Sequence, residues 1–113
     1  MVGAGQDVEL DPRRVAQLHD DLQLVDVREP YEWAAGRIAG ARHIELERLA
    51  SEAPTIDKEQ PVIFQCRLGS RSAMATQAFR AAGYEAYSMA GGLQRWFDEG
   101  LPLEPEGGVV SPH

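Results

Sequence analysis

Three short apolar runs recur along the chain, at residues 22–27 (LQLVDV), 61–65 (PVIFQ) and 84–89 (YEAYSM), and each is followed by residues punctuated for a helix. Runs this short, bounded by proline and glycine, suit strands buried on both faces rather than helices. Between them, Pro30 opens a short helix through Tyr31, Trp33 and Ala35 that Gly36 stops. Residues 72–82 are alanine-rich and helical, with Gly83 in the position that favours a left-handed end, and residues 93–99 form a last helix closed by Gly100 and Pro102. Near the start, Asp11-Pro12 reads as an N-cap followed by proline at the first helical position, opening about two turns. A short strand at His43-Ile44 and a helix around residues 46–53 complete the series. Strands alternating with helices through short connections predict an α/β fold: a small three-layer domain with a mainly parallel central sheet flanked by helices. A chain of 113 residues holds one such domain. It is expected over residues 1–103, with 104–113, rich in glycine and proline, as a loosely held tail.

Charge and cysteine usage narrow the function classes. Eleven Lys and Arg against eighteen Asp and Glu leave a net charge of −7, which opposes sequence-independent binding to nucleic acid or to an anionic membrane surface. No apolar run is long enough to span a bilayer, and the N-terminal residues do not read as a signal peptide, so a cytoplasmic, monomeric protein is expected. The one cysteine, Cys66, excludes an internal disulfide, a CxxC redox pair and a thiolate-rich zinc site. His19, His43 and His113 lack metal-ligand spacing, so no metal is expected, and His43 reads as structural. Gly3-Ala4-Gly5 lacks the preceding strand and third glycine of a dinucleotide loop.

The chemistry concentrates at the turn CRLGSRS, residues 66–72, which leaves the second apolar run and enters a helix. Ligands of open parallel sheets bind at the carboxyl ends of strands, and that end is where Cys66 falls. The free amides and dipole of the following helix, with Gly69 permitting a tight curl, favour a thiolate over a thiol. From Gln60 to Tyr84 there is no acid and three arginines, Arg67, Arg71 and Arg80, so a cationic stretch surrounds the only thiol of an acidic protein. An anionic substrate is the expectation. The competing reading is a buried cysteine packed as a small hydrophobe beside a solvated arginine face. Ser70 and Ser72 read as loop and N-cap hydroxyls.

Together with LVDVREPYEW (24–33), GRIAGARHIEL (36–46) and GYEAYSMAGGLQRWFDEGLP (83–102), this turn resembles the single-domain rhodaneses, a family of sulfurtransferases, over about residues 8–102. The resemblance implies that Cys66 is the nucleophile and carries a persulfide. It implies that Arg67, Leu68, Gly69, Ser70 and Arg71 cradle the substrate and persulfide, with Arg67 and Arg71 as the cationic rim and Ser72 in support. The Asp-Val-Arg motif falls on Asp26 and Arg28, read as a brace for the loop, and Trp33 and Trp96 read as core or cleft wall. The implied reaction moves a sulfane sulfur from thiosulfate to cyanide or a thiol, without metal or organic cofactor. Arg37 stands where the family often has histidine, which leaves its role open. Related phosphatases and arsenate reductases use Cys-x5-Arg, whereas four residues separate Cys66 from Arg71 here. Two alternatives stand beside this reading: a persulfide relay loaded by a protein such as a cysteine desulfurase, and a non-catalytic rhodanese-like interaction module.

Overall fold

The computed structural model of the chain describes residues 8–112; Gly3-Ala4-Gly5, His113 and the side chain of His19 lie outside the described residues. Along the chain run β1 (Glu9–Leu10), α1 (Pro12–Leu18), β2 (Gln23–Asp26), α2 (Pro30–Ala35), β3 (Arg42–His43), α3 (Leu49–Glu52), β4 (Val62–Gln65), α4 (Ser70–Ala81), β5 (Ala86–Met89) and α5 (Gly92–Asp98). The five strands form one sheet in the order β1-β5-β4-β2-β3, and every pairing is parallel. The expected α/β fold is therefore present, with its sheet wholly parallel.

Alternation along β2 and β4 explains why both strands read as unbroken apolar runs. Val25, Val62, Phe64 and Cys66 face one layer, packed with Leu49 of α3 and with Ala75 and Phe79 of α4. Leu24 and Ile63 face the other, packed with Val15 of α1 and with Leu93 and Trp96 of α5. Each face of the sheet is thus covered, which is the condition under which a parallel sheet is stable. Phe64 meets the edge of Phe79 at 4.8 Å between ring centres, locking α4 onto the central strand. Trp96 is a core residue, its indole N–H donating to the Pro102 carbonyl at 2.8 Å.

Asp11 caps α1 as expected, its carboxylate accepting the Arg14 amide at 2.9 Å. Three features differ from the sequence reading. The edge strand β1 was not foreseen, because two residues carry no periodicity; pairing with Ser88 and Met89 defines it. Helix α4 begins at Ser70, not Ser72, and its N-cap is Gly69 in a left-handed conformation (φ 113°), so Ser72 lies inside the first turn. The tail is held over residues 104–110 rather than loose. Arg37 and Glu104 exchange backbone hydrogen bonds at 2.8 and 2.6 Å, the Val109 amide donates to the Ala35 carbonyl at 2.9 Å, and Val110 packs on the second core. This docking depends on Gly36, where a Cβ would lie 2.5 Å from the Val109 carbonyl oxygen and 2.7 Å from its nitrogen.

Gly36→Ala is therefore expected to lift the tail, accelerating hydrogen exchange at the Val109 amide by about tenfold or more and lowering stability by about 1 kcal/mol. Exchange NMR with urea unfolding measures both.

Candidate active site

Cys66 follows directly from the end of β4, at the centre of the sheet, with 0% of its surface exposed. Its Sγ accepts hydrogen bonds from the amides of Gly69 at 3.1 Å and Ser72 at 3.4 Å, and the Ser72 hydroxyl lies 3.6 Å away. The left-handed Gly69 turns both amides inward, and the dipole of the twelve-residue helix α4 points at the same sulfur. The thiol is buried under its own loop, because the loop folds back over it to begin the helix. The outer face of that loop forms a hollow of about 180 Å³ lined by Arg67, Leu68, Ser70 and Arg71.

The loop is held from below by a second helix. The first amides of α5, Leu93 and Gln94, donate to the carbonyls of Cys66 (2.8 Å) and Arg67 (3.0 Å). Gly92 makes this approach possible, since a Cβ there would overlap the Arg67 carbonyl and sit 2.7 Å from that of Cys66. Ser88 of β5 reaches the Ser72 hydroxyl at 2.7 Å, and Ser72 also donates to the Gly69 carbonyl at 3.1 Å. Ser72 is thus a bridge between loop, helix and sheet rather than a cap.

Charge is distributed differently from the expectation of three arginines around the thiol. Arg71 makes a two-pronged pair with the fully buried Glu32 of α2, at 2.8 and 3.1 Å. Burial alone would raise the Glu32 carboxyl. Hydrogen bonds from Arg71 and the Glu29 backbone, with the charges of Arg71 and Arg28, outweigh burial and hold it below the ordinary range. Arg71 in turn is held more firmly protonated, first by its hydrogen bond to Glu32. Arg80 does not belong to the site. It lies nine residues further along α4, about 13 Å by helical rise, donates to the Ala86 carbonyl at 2.6 Å and covers the Tyr87 ring. Arg67 is left as the cation of the hollow without an acidic partner among the described residues, and its buried Nε has no hydrogen-bond partner.

Asp26 and Arg28 lie beneath α2, both fully buried and paired at 2.7 Å. Arg28 also donates to the carbonyls of Glu32 (3.2 Å) and Gly36 (2.8 Å), so it ties β2 to the middle and the C-terminal end of the helix that presents Glu32. His43 sits against the Arg28 carbonyl at 2.7 Å and stacks on Trp33 at 4.9 Å, while the Arg37 guanidinium covers the same indole at 5.1 Å. Arg37, whose role was open, therefore packs on Trp33 at this end of α2. Glu32, Ser88 and Gly92 were not singled out from sequence, since each acts through a partner at least sixteen residues away. Glu29, Glu45 and Glu47 bring one carboxylate oxygen each within 4.8 Å of one another, a cluster the sequence does not announce because Glu29 comes from a different segment.

Glu32 ties site geometry to acid stability. Its pKa is lower in the folded state, so its contribution is complete above about pH 4.5 and is lost as pH falls through the folded value. Wild type should lose stability below pH 4.5 more steeply than Glu32→Gln, which at pH 7 should already be destabilised by about 2 kcal/mol through the stranded Arg71. Urea titrations at several pH values check this. Gly92→Ala should push the Cys66–Arg67 carbonyls outward and slow alkylation of the thiol by about tenfold or more, read by reaction with iodoacetamide.

Comparison with known proteins agrees with this construction. Residues 11–99 match the model of the rhodanese-like domain. The uncharacterized protein YqhL of Bacillus subtilis is 41% identical over 75 residues, covering 66% of this chain, which spans 60% of that protein's length. The thiosulfate sulfurtransferase GlpE of Pseudomonas aeruginosa is 34% identical over 87 residues, covering 75% of this chain and 79% of the relative. Among solved structures, a rhodanese-related protein from Thermoplasma volcanium superposes with a TM-score of 0.81 at 25% identity, covering 91% of this chain and 98% of that one. With a wholly parallel sheet, a cysteine at its central strand end and a family match over most of its length, this chain belongs to the rhodanese-like domain family.

Proposed function

We propose that the chain is a sulfurtransferase that takes the outer sulfur of thiosulfate onto Cys66 and passes it to a thiophilic acceptor, cyanide or a thiol. The observation that carries this reading is the Cys66 sulfur facing the amides of Gly69 and Ser72 at the head of α4. Amides preset around the sulfur stabilise negative charge there, on the attacking sulfur and then on the persulfide, without reorganisation between the two. In the first step the thiolate attacks the sulfane sulfur; a new S–S bond forms at Sγ, the bond to the sulfonate sulfur breaks, and sulfite leaves with the electron pair. In the second step the acceptor attacks the terminal sulfur and Cys66 returns as thiolate. Two half-reactions through a covalent intermediate imply ping-pong kinetics.

Within this scheme Arg67 receives the dianion, because Arg71 is already engaged by Glu32. The same engagement disfavours phosphate ester chemistry: the loop is one residue short of Cys-x5-Arg, and its arginine faces a carboxylate instead of forking over a bound oxyanion. Asp26 and Arg28 act as positioning residues through α2, and Ser72 supports the sulfur from within the helix.

Intact mass after thiosulfate should show the gain of one sulfur atom, removed by cyanide and absent from Cys66→Ala. A fully reduced wild-type chain that gains nothing would remove thiosulfate as donor. Arg67→Ala should raise KM for thiosulfate by about tenfold with kcat changed by less than about threefold. Steady-state thiocyanate formation gives both constants.

A further inference from the structure

The elements that build the site carry exposed side chains that a small anionic donor does not use. Tyr31 of α2, Leu68 of the loop and Met74 of α4 are 53%, 58% and 61% exposed, although all three are large and apolar. Met74 lies three residues after Arg71, so the two share a helix face one turn apart. It opens a groove of about 260 Å³ between α3 and α4, with Leu46, Leu49 and Ala50 on one side and Met74, Ala78 and Phe79 on the other. The hollow lined by Leu68 and Arg71 and this apolar groove therefore draw on neighbouring turns of the same helix, α4.

One end of that groove is acidic. Leu46 is flanked in sequence by Glu45 and Glu47, whose carboxylates cluster with that of Glu29 and make no ion pair among the described residues. Glu29 also connects to the site, since its amide donates at 2.9 Å to the Glu32 carboxylate that holds Arg71. Glu45 is held above the ordinary carboxylate range, first by a shared hydrogen bond with Glu47, then by burial and by the charges of Glu47 and Glu29. Three crowded carboxylates repel thiosulfate and are relieved by a cation. A methionine-lined groove adapts to bulky apolar side chains.

We propose that this groove and its acidic end dock a basic, apolar segment of a protein whose cysteine accepts the sulfur from Cys66. The inference rests on the sulfurtransferase reading above and names the acceptor class it would serve. In the transfer, the partner's thiolate attacks the terminal persulfide sulfur. A new S–S bond forms on the partner, the bond to Sγ breaks, and Cys66 keeps the electron pair as thiolate.

The test uses the full chain and a short synthetic peptide with one cysteine among lysines and leucines. The serine version of that peptide, titrated into isotope-labelled chain, should shift NMR signals of residues 45–50 and 74–78. Met74→Glu and Glu47→Lys should each weaken this binding by about tenfold, and a peptide with glutamate for lysine should bind at least about tenfold more weakly. With persulfide-loaded chain, both variants should raise KM for the cysteine peptide by about tenfold while sulfur transfer to cyanide stays within about twofold of wild type. Shifts elsewhere or none at all, equal binding of the glutamate peptide, or variants that change nothing would overturn the proposal. So would light scattering that shows a dimer abolished by Met74→Glu, which would assign the face to a second copy of the chain. If no acceptor draws sulfur, cyanide included, the sulfurtransferase reading fails, and the docking face stands or falls on the titration alone.

Discussion

A guanidinium with no exposure at all sits at the root of the structure. Removing Arg28 and Asp26 from water costs several kcal/mol per ion, and only close pairing with further hydrogen bonds offsets it. Arg28 meets that condition through Asp26 on β2 and through the carbonyls of Glu32 and Gly36 on α2. The helix cannot shift without stranding a buried charge. Because α2 is pinned, Glu32 is pinned, and with it Arg71 and the outer turn of the cysteine loop. A chain of ion pairs and backbone carbonyls thereby transmits the position of strand β2 to the sulfur at the end of strand β4.

The same chain divides the labour of charge. Two arginines flank the thiol in sequence, yet one is spent on structure and one faces the hollow. The sulfur itself faces backbone amides rather than side-chain cations, which suits the thiolate and persulfide of the proposed cycle. Amides at the head of a helix cannot swing away or lose their protons, so the cradle persists through both states. Outside it, an acidic and apolar rim covers the neighbouring face, giving an acidic protein a small cationic opening beside a surface of opposite character.

Much of this was legible in the chain. The runs LQLVDV and PVIFQ are strands β2 and β4, Asp11 caps α1, and Gly83 ends α4 with positive φ, each because the signal lies within a few residues of its effect. The turn holding Cys66 could be placed because strand, glycine and helix are contiguous. Strand β1 escaped because two residues define no period, and the start of α4 was displaced because Gly69, not a serine, caps it. The tail read as loose because Gly-Gly and proline report local freedom, while its docking depends on the missing Cβ of Gly36, some seventy residues away in sequence.

The sequence by itself determined the alternation of buried strands and helices, the place of Cys66 at a strand end and the curl of the loop above it. These follow from side-chain period, from glycine's freedom at Gly69 and from the unpaired amides at any helix start. Tertiary structure alone decided which charges the loop keeps. Glu32 neutralises Arg71, Gly92 admits α5 beneath the loop, and Ser88 meets Ser72 only because a parallel sheet brings separate segments to one edge. Electrostatic pairing and close packing depend on distances in space, and those exist only once the chain has closed on itself.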